Sequence, residues 1–483
     1  MAKDHAKRQN QQSEQSHALQ ENGDISGKPP GTLAIPRHLE YVATVKLTPN
    51  ARNARTHSKR QIRQIAESVR QFGFNNPILV DDSYEVIAGH GRLLAAKDLG
   101  IPEVPVVCLS HLSDAEKRAY VLADNKIALN AGWDGELLAA ELGDLAALLP
   151  EIDLDLELTG FDTGEIDIIL TDFEDPESSP DKEDDVPTPS ETAVSRHGDI
   201  WQMGPHRVLC GDVRNPEGVA ALWAGERADL IITDPPFNVR VQGHVGGRGK
   251  TKHSEFAFAS GEMSDDEYRK FLRDSIGVMA DHSKDGALLY LFMDWRHIEL
   301  LLSVGRELGL SLKNICVWNK TTPGQGSFYR SAHELVAVFA KPGQPTTNNV
   351  QLGRYGRNRT NVWSYPGVNT FQAGKGGDLA LHPTVKPVAM ISEAIKDASG
   401  RGEAVFDPFL GSGTTLLAAE KVGRKCYGVE YEPRYVDVAI RRWQEMTGKD
   451  ALLAHRQGEA AAGIGSSFDE LRASDCSKEE AEK

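Results

Sequence analysis

Apolar positions recur in regular patterns along much of the chain. Over Ser58–Phe72 (SKRQIRQIAESVRQF), Ile62, Ile65, Ala66, Val69 and Phe72 share one helical face. Gly73 then stops the helix. Pro77–Val80 (PILV) reads as a strand and Glu85–Ala88 (EVIA) as its hairpin partner. The pattern predicts a helix over Arg92–Leu99, ended by Gly100, and a strand over Val104–Leu109. Ser113–Ile127 predicts another helix, with Ser113 as N-cap and Glu116 closing a capping box. Residues 134–170 keep part of a helical period but become acidic. Residues 171–195 have almost no large apolar side chain and four prolines, which predicts an open linker. A second globular pattern runs from about Arg196 to Gly448. The expected divisions are a disordered arm at 1–32, a domain at 33–130, an acidic helical segment and linker at 131–195, a domain at 196–450 and a disordered tail at 451–483.

Composition fits folded domains: of 483 residues, 40 % are hydrophobic and 26 % charged, enough to bury real cores. No run of about 18 apolar residues predicts a membrane span, and the N-terminus lacks the apolar stretch of a signal peptide. Cys108, Cys210, Cys316, Cys426 and Cys476 stand far apart with no Cys-x-x-Cys pair. That argues against a disulfide framework or a zinc site and fits a reducing cytoplasm. The net charge of −16 looks wrong for a nucleic-acid binder, but its distribution changes the picture. Residues 134–185 hold 19 acidic residues against one lysine, whereas residues 1–70 carry a net +6. Residues 313–377 carry a net +7, with Glu334 their only acid. These local fields govern partner choice.

Asp229–Phe237 (DLIITDPPF) is a short apolar strand that runs into two prolines. Prolines cannot continue a sheet ladder, so they fix the backbone past the strand's C-terminal end. In open α/β sheets, ligands bind there. The elbow offers the Asp234 carboxylate, the Pro235 carbonyl beside the N–H-free Pro236, and the Phe237 ring. An exocyclic amine on a planar base needs two acceptors and a stacking surface, which this set supplies. A plain strand end with a proline stop would look the same in isolation, so the other motifs decide.

Ala404–Thr415 (AVFDPFLGSGTT) is strand, glycine turn and helix. Gly411 and Gly413 let the backbone approach a ligand, and the helix start offers free N–H groups. Lys425–Glu430 (KCYGVE) is the next strand and ends in a carboxylate 23 residues after Asp407, the spacing at which nucleotide-binding βαβ units hold ribose hydroxyls. Leu381–Pro387 (LHPTVKP) is a polar turn into a helix, with Pro387 at the first helical position.

The set D-P-P-F, H-P-T-x-K-P and F-D-P-F-x-G-S-G-T-T, followed by a strand-end Glu, resembles the amino-methylating DNA methyltransferases. The motif order is that of their β class. The resemblance covers about Arg196–Gly448 and implies a Rossmann-like α/β sheet with permuted motif order and S-adenosylmethionine as cofactor. It implies that Asp407, Phe409 and the turn Gly411, Ser412, Gly413, Thr414 hold the methionine end. Lys386 would lie near the cofactor carboxylate, Glu430 at the ribose and Asp212 (in Leu209-Cys-Gly-Asp212) near the cofactor base. The catalytic elbow would be Asp234, Pro235, Pro236 and Phe237, acting on a flipped base in double-stranded DNA with no metal. Asp before Pro-Pro favours adenine N6 in this family, with cytosine N4 as the alternative.

Target recognition is expected over roughly 240–377. Gly243–Lys252 (GHVGGRGKTK) is glycine-rich and basic but misses the P-loop template at His244, so it reads as a DNA-facing loop with Arg248 and Lys250. In the +7 segment, Lys320, Arg330, Arg354 and Arg357 are candidate DNA contacts among Trp318, Tyr329, Tyr355, Arg359 and Trp363. Tyr329–Glu334 (YRSAHE) resembles a segment these enzymes place near the flipped base.

Ile87–Ala96 (IAGHGRLLAA) follows a strand and opens a helix, so Gly89, Gly91 and Arg92 form a candidate phosphate turn. Residues 35–130 resemble the small α/β (α+β) ParB-like fold. Family members bind nucleotide phosphates at this turn and often bind DNA. Here the turn reads G-H-G-R where G-E-R-R is typical, and Asp124-Asn-Lys126 only approximates a second family segment, which places nucleotide hydrolysis in doubt. The leading expectation is a cytoplasmic adenine-N6 DNA methyltransferase with a DNA-targeting or nucleotide-responsive accessory domain. A homodimer and a restriction partner stay open. The rival of a different class is a ParB-like DNA-binding or nuclease protein with a non-catalytic methyltransferase region.

Overall fold

The computed structural model describes residues 38–152, 154–172, 184–190, 192–238, 262–321, 329–352, 359–367, 385–456 and 465–474. The arm at 1–32, the basic loop with Arg248 and Lys250, and Arg354 and Arg357 lie outside them. The chain divides into two compact units at Trp133/Asp134.

In the first unit, β1 (Glu40–Ala43), β2 (Thr48–Pro49), β3 (Ile78–Val80), β4 (Glu85–Ala88) and β5 (Glu103–Cys108) form one sheet in the order β1-β5-β3-β4-β2. Helices α1 (Lys59–Phe72), α2 (His90–Asp98) and α3 (Asp114–Ala128) complete it. Ser58 caps α1 by accepting the Gln61 N–H, and Gly73 closes it at φ +86°. Ser113 and Glu116 make the reciprocal capping box on α3. Helix α2 begins at His90, two residues before the expected start, because Gly89 at φ +100° serves as its N-cap.

The second unit opens with α4 (Gly135–Leu148) and α5 (Thr163–Asp172), which share a small core of Leu142, Leu156 and Ile166. Its ten-stranded sheet runs β12-β10-β11-β9-β8-β13-β14-β7-β6-β15. The strands are β6 (Ile200–Met203), β7 (His206–Cys210), β8 (Ala228–Thr233), β9 (Ser283–Met293), β10 (Ser311–Asn319), β11 (His333–Ala340), β12 (Val362–Ser364), β13 (Ala404–Asp407), β14 (Lys425–Glu430) and β15 (Leu452–His455). Strands β9, β8, β13, β14 and β7 are mutually parallel. The helices are α6 (Pro216–Trp223), α7 (Asp265–Asp281), α8 (Ile298–Glu307), α9 (Val388–Ala398), α10 (Thr414–Lys421) and α11 (Pro433–Thr447).

Alternating side chains give the sheet two apolar faces. Leu230, Ile232 and Val405 enter one core with α9, α10 and α11. Ile231, Phe406 and Tyr427 enter the other with α6, α7 and α8. The neighbouring strands β8 and β13 therefore send their following helices to opposite faces. The crevice this opens at their C-terminal ends is the topological switch point, where such sheets bind ligands.

Several expectations need correction. Charge counting gave the acidic helical segment no partner, but α5 is anchored by Asp167, whose carboxylate takes Arg424 at 2.8 and 3.0 Å in a buried pair. The linker is not open over its described end. Asp184 accepts the Val388 N–H at 2.9 Å, and the Val194 and Ser195 N–H groups donate to Asp437 at 2.8 and 3.0 Å. Past 451 the chain adds β15 to the sheet edge and buries Phe468 against Trp201, so it is ordered over 451–456 and 465–474. Pro387 is the N-cap of α9 and not its first helical residue.

Candidate active site

Strand β8 ends at Thr233, and Asp234, Pro235, Pro236 and Phe237 turn out over the crevice. The Tyr268 hydroxyl, from buried α7, donates to the Pro236 carbonyl at 2.7 Å and fixes the elbow from behind. Asn238 leaves the elbow at φ +53°, and its side-chain amide clasps the Met263 carbonyl and N–H at 2.8 and 3.2 Å. The elbow is thus held at both ends.

Asp234 Oδ2 pairs with the Lys386 ammonium, while Oδ1 is buried with no hydrogen-bond partner. Such an oxygen is a vacant acceptor in a low-dielectric site. Burial pushes the Asp234 carboxyl up to about 6, against the pull of Lys386 and with the added repulsion of Glu334. Lys386 also lies 3.2 Å from Glu334 Oε2, and Glu334 Oε1 takes Lys320. Burial opposes the Lys386 charge, but Asp234 and Glu334 outweigh it and raise its affinity for the proton. Lys386, expected beside a cofactor carboxylate, has its ammonium held between two carboxylates of the protein.

The glycine turn after β13 is braced from within. Asp407 Oδ1 accepts the Thr233 hydroxyl at 2.6 Å and the Phe409 N–H at 3.1 Å, and Oδ2 accepts the Thr415 hydroxyl at 2.6 Å. Burial raises the Asp407 carboxyl, and these three donors partly restore its charge. Asp407 therefore ties the elbow strand, the turn and the start of α10 together. Gly413 was expected to let a ligand approach. Its φ is +90°, and an added Cβ would lie 2.8 Å from Ala439 Cβ, so its close approach is to α11. Ser412 is drawn the same way, accepting from Arg442 at 2.6 and 3.1 Å. Thr414 begins α10 and is buried, and Phe409 packs against Phe271 at 5.8 Å.

Glu430 ends β14 beside this turn. Its carboxylate accepts the N–H of Gly411 and of Glu432, each at 2.8 Å. Burial pushes it up to about 7. A carboxylate has about four lone-pair sites, so acceptor capacity remains for hydroxyls. Asp212, after β7, is gripped by Arg214 at 2.6 to 3.2 Å, which overcomes burial and keeps the carboxyl low. Asp212, Asp234, Asp407 and Glu430 thus stand at the C-terminal ends of four parallel strands of one sheet.

The expected DNA contacts divide. Lys320 is tied to Glu334 and lies 4.8 Å from the Trp318 ring. Trp318 and Trp363 are core residues, and Arg359 is held by Asp397 at 2.9 Å. Arg330 follows Tyr329, an exposed ring on the approach to β11. His333 is exposed. Its neighbour Glu334, which closes the Tyr329–Glu334 segment but carried no role of its own in the sequence, is buried. Strand alternation across HELVAVFA carried that signal, because an exposed His333 turns Glu334 inward.

In the first unit, Arg92 folds back over Gly89, and an added Cβ there would lie 3.1 Å from the guanidinium. Arg92 Nε is buried without a partner, and burial lowers the group's proton affinity. His90 accepts the Asn50 N–H at 3.2 Å. Gly91 leaves no room for a side chain, since a Cβ would meet Ile65 at 2.9 Å.

A family profile described as DNA methylase matches residues 228–441. A ParB N-terminal domain matches 34–126, and a ParB-methyltransferase HTH domain matches 136–197. The chain is similar to the ParB-like nuclease domain-containing protein YnaK of Escherichia coli (strain K12), 52 % identical over 78 residues, covering 16 % of this chain and 90 % of that protein. It is similar to the type II methyltransferase M.HpaI of Haemophilus parainfluenzae, 26 % identical over 239 residues, 46 % of this chain and 71 % of that one. Among solved structures, the putative DNA modification methylase TTHA0409 of Thermus thermophilus, complexed with S-adenosyl-L-methionine, aligns with TM-score 0.37 and 21 % identity over 53 % of this chain and 100 % of its own. The three matched regions follow one another along the chain, and the matched DNA methylase region contains both the elbow and the glycine turn: residues 228–441 carry a domain of the N6/N4 DNA methylase family, with a ParB-type N-terminal domain ahead of it.

Proposed function

We propose that this protein transfers a methyl group from S-adenosylmethionine to the exocyclic N6 amine of an adenine flipped out of double-stranded DNA. The observation that carries the reading is the Asp234 carboxylate, fixed at the elbow with Oδ1 buried and unpartnered. The donor set fits the cofactor: Glu430 would hold the ribose hydroxyls, Asp212 would lie at the adenine, and the Gly411–Thr414 turn, braced by Asp407, would take the methionine end. When bound, S-adenosylmethionine supplies a methyl group on a positively charged sulfur, already electrophilic.

The protein's task is then positioning and proton handling. Phe237 stacks on the flipped base. Asp234 Oδ1 and the Pro235 carbonyl accept the two amine protons and draw the lone pair out of conjugation with the ring. Bound there, the sulfonium would give its methyl group to the amine nitrogen and keep the carbon–sulfur bonding pair. The surplus amine proton passes to Asp234, whose carboxyl is pushed up to about 6. That places it close enough to neutrality to accept the proton and return it to water. Asp in the first position of the elbow supports adenine over cytosine. The test is methyl transfer from labelled cofactor to unmodified duplex DNA, with mass spectrometry of the nucleosides. N6-methyladenine is the expected product. N4-methylcytosine would overturn the base assignment, and unlabelled DNA would overturn the reading.

In the N-terminal domain, the Gly89–Arg92 turn is proposed to bind the phosphates of a nucleotide, on the strength of the partnerless Arg92 Nε beside the start of α2. Nucleoside triphosphate binding, lost in Arg92→Ala, is the expected result; no binding by the intact chain would refute it. The partners proposed are therefore double-stranded DNA and a nucleotide. No helix among the described residues is long and apolar enough to cross a membrane.

A further inference from the structure

Four charges of alternating sign form a row through the active site: Lys320, Glu334, Lys386 and Asp234. They come from three separate places in the chain besides the elbow: the end of β10, the start of β11 and the residue before the α9 cap. The Lys386 ammonium is walled by aromatic rings, with centroids at 5.1 Å for Phe292, 5.7 Å for Trp318 and 5.9 Å for Phe237. Rings of this kind tolerate a cation but accept only weakly from its three donors. Asp234 and Glu334 therefore pull on the Lys386 ammonium from two sides.

We propose that Glu334 is a positioning residue of the methyl-transfer site: clamped by Lys320, it anchors the Lys386 ammonium against Asp234 Oδ2 and so leaves Oδ1 open to the target amine. This role rests on the amine-methylation reading of the elbow. Attraction to Asp234 by itself draws a buried ammonium toward the midpoint of the two carboxylate oxygens, where it would compete with the amine for Oδ1. A second carboxylate 3.2 Å away pulls it off that position. Glu334 also repels the Asp234 charge directly. Removing the Glu334 charge therefore acts twice in one direction: the repulsion goes, and Lys386 pairs more fully with Asp234. Both changes favour ionised Asp234. The groups bearing on Asp234 are Lys386, Glu334 and Lys320, with Tyr268 packed behind the elbow and Asp407 acting on Lys386 from β13.

The test is a site-resolved carboxyl carbon NMR titration of Asp234 in the full-length protein, paired with the pH profile of kcat on duplex DNA. Glu334→Gln is expected to lower the Asp234 titration midpoint and the acidic limb of kcat together, a loss of about tenfold in proton affinity. It should lower kcat more than it changes the DNA KM. Glu334→Asp, which keeps the charge, should move both midpoints back toward wild type. Lys320→Met, for use if the Gln variant does not fold, should move the Asp234 midpoint the other way, because a stabilising positive charge is lost. An Asp234 midpoint that stays put in folded Glu334→Gln or Lys320→Met overturns the proposal. A wild-type protein that shows the coupled titration but methylates no DNA overturns the functional reading instead, so the two failures are distinguishable.

Discussion

The Thr233 hydroxyl, on the last residue of β8, donates to Asp407 Oδ1, on the last residue of β13, at 2.6 Å. Both side chains are buried. One hydrogen bond thus joins the strand that carries the catalytic elbow to the strand that carries the glycine turn. Thr233→Val keeps the shape and deletes the donor, leaving a buried carboxylate oxygen with only the Phe409 N–H. The expected cost is about 1–3 kcal/mol, read as a lower midpoint in urea unfolding. Methyl transfer should slow as well, since the β8–β13 ladder would remain but the side-chain tie between the strand ends, next to elbow and turn, would be gone. A variant of unchanged stability would show that Asp407 finds its charge compensation elsewhere.

The two ends of the crevice should separate kinetically. Asp234→Ala removes an acceptor for the target amine and leaves the Glu430 end intact. Turnover should fall by about 10²-fold or more, with cofactor affinity within a few-fold of wild type by calorimetry. Glu430→Ala should do the reverse. It deletes the acceptor proposed for the ribose and frees the Gly411 N–H, weakening cofactor binding by about 1.5–3 kcal/mol. Loss of cofactor binding in Asp234→Ala would contradict these roles.

Asp167 lies in the most acidic stretch of the chain, yet it is the buried partner of Arg424 and also accepts from Arg401 at 3.3 Å. Asp167→Ala leaves the fully buried Arg424 guanidinium with the Val422 and Ser399 carbonyls and the Ser399 hydroxyl as its remaining contacts, and no carboxylate. Breaking a buried pair on one side costs about 3–5 kcal/mol. Hydrogen exchange should rise over α4 and α5 before it rises in the central sheet. If exchange there stays as slow as in wild type, the pair is not what fastens these helices.

How much of this was legible beforehand follows from what each residue does locally. The α1 face, the Ser113 box and the strand leading into Asp234 are local patterns, and the sequence carries them. The elbow and the glycine turn were legible as chemistry because prolines and glycines restrict the backbone wherever they stand. What charge counting missed was pairing across long separations. Asp167 and Arg424 are 257 residues apart, so a solvated acidic run and an anchored one read alike. Lys320 looked like a DNA contact, and Glu334 stood in the Tyr329–Glu334 segment without a role of its own; the pairing of β10 with β11 brings the two together. Trp318 and Trp363 stood among the candidate DNA contacts and are core, because β10 and β12 pair in parallel and place them side by side.

Acid stability should report one further buried contact. His206 accepts the Cys426 N–H on Nδ1 at 2.9 Å, so its Nε2 carries the proton it donates to Glu420 at 2.5 Å. Trp443 donates to the same carboxylate at 3.0 Å. The hydrogen bond from His206 leads the causes that hold Glu420 down to about 2, against an ordinary 4.5. A carboxyl lowered on folding adds stability that is fully present above its unfolded value and is lost as pH falls through the folded one. The window is therefore about pH 4.5 down to 2, and the full contribution at neutral pH is ~3 kcal/mol. Glu420→Gln cannot titrate, so its stability relative to wild type should rise steadily as pH falls through that window. Urea unfolding of both proteins from pH 7 to 3 checks this. A difference between them that stays constant with pH would mean that Glu420 keeps an ordinary carboxyl in the folded state and that the His206 contact does not hold its proton off.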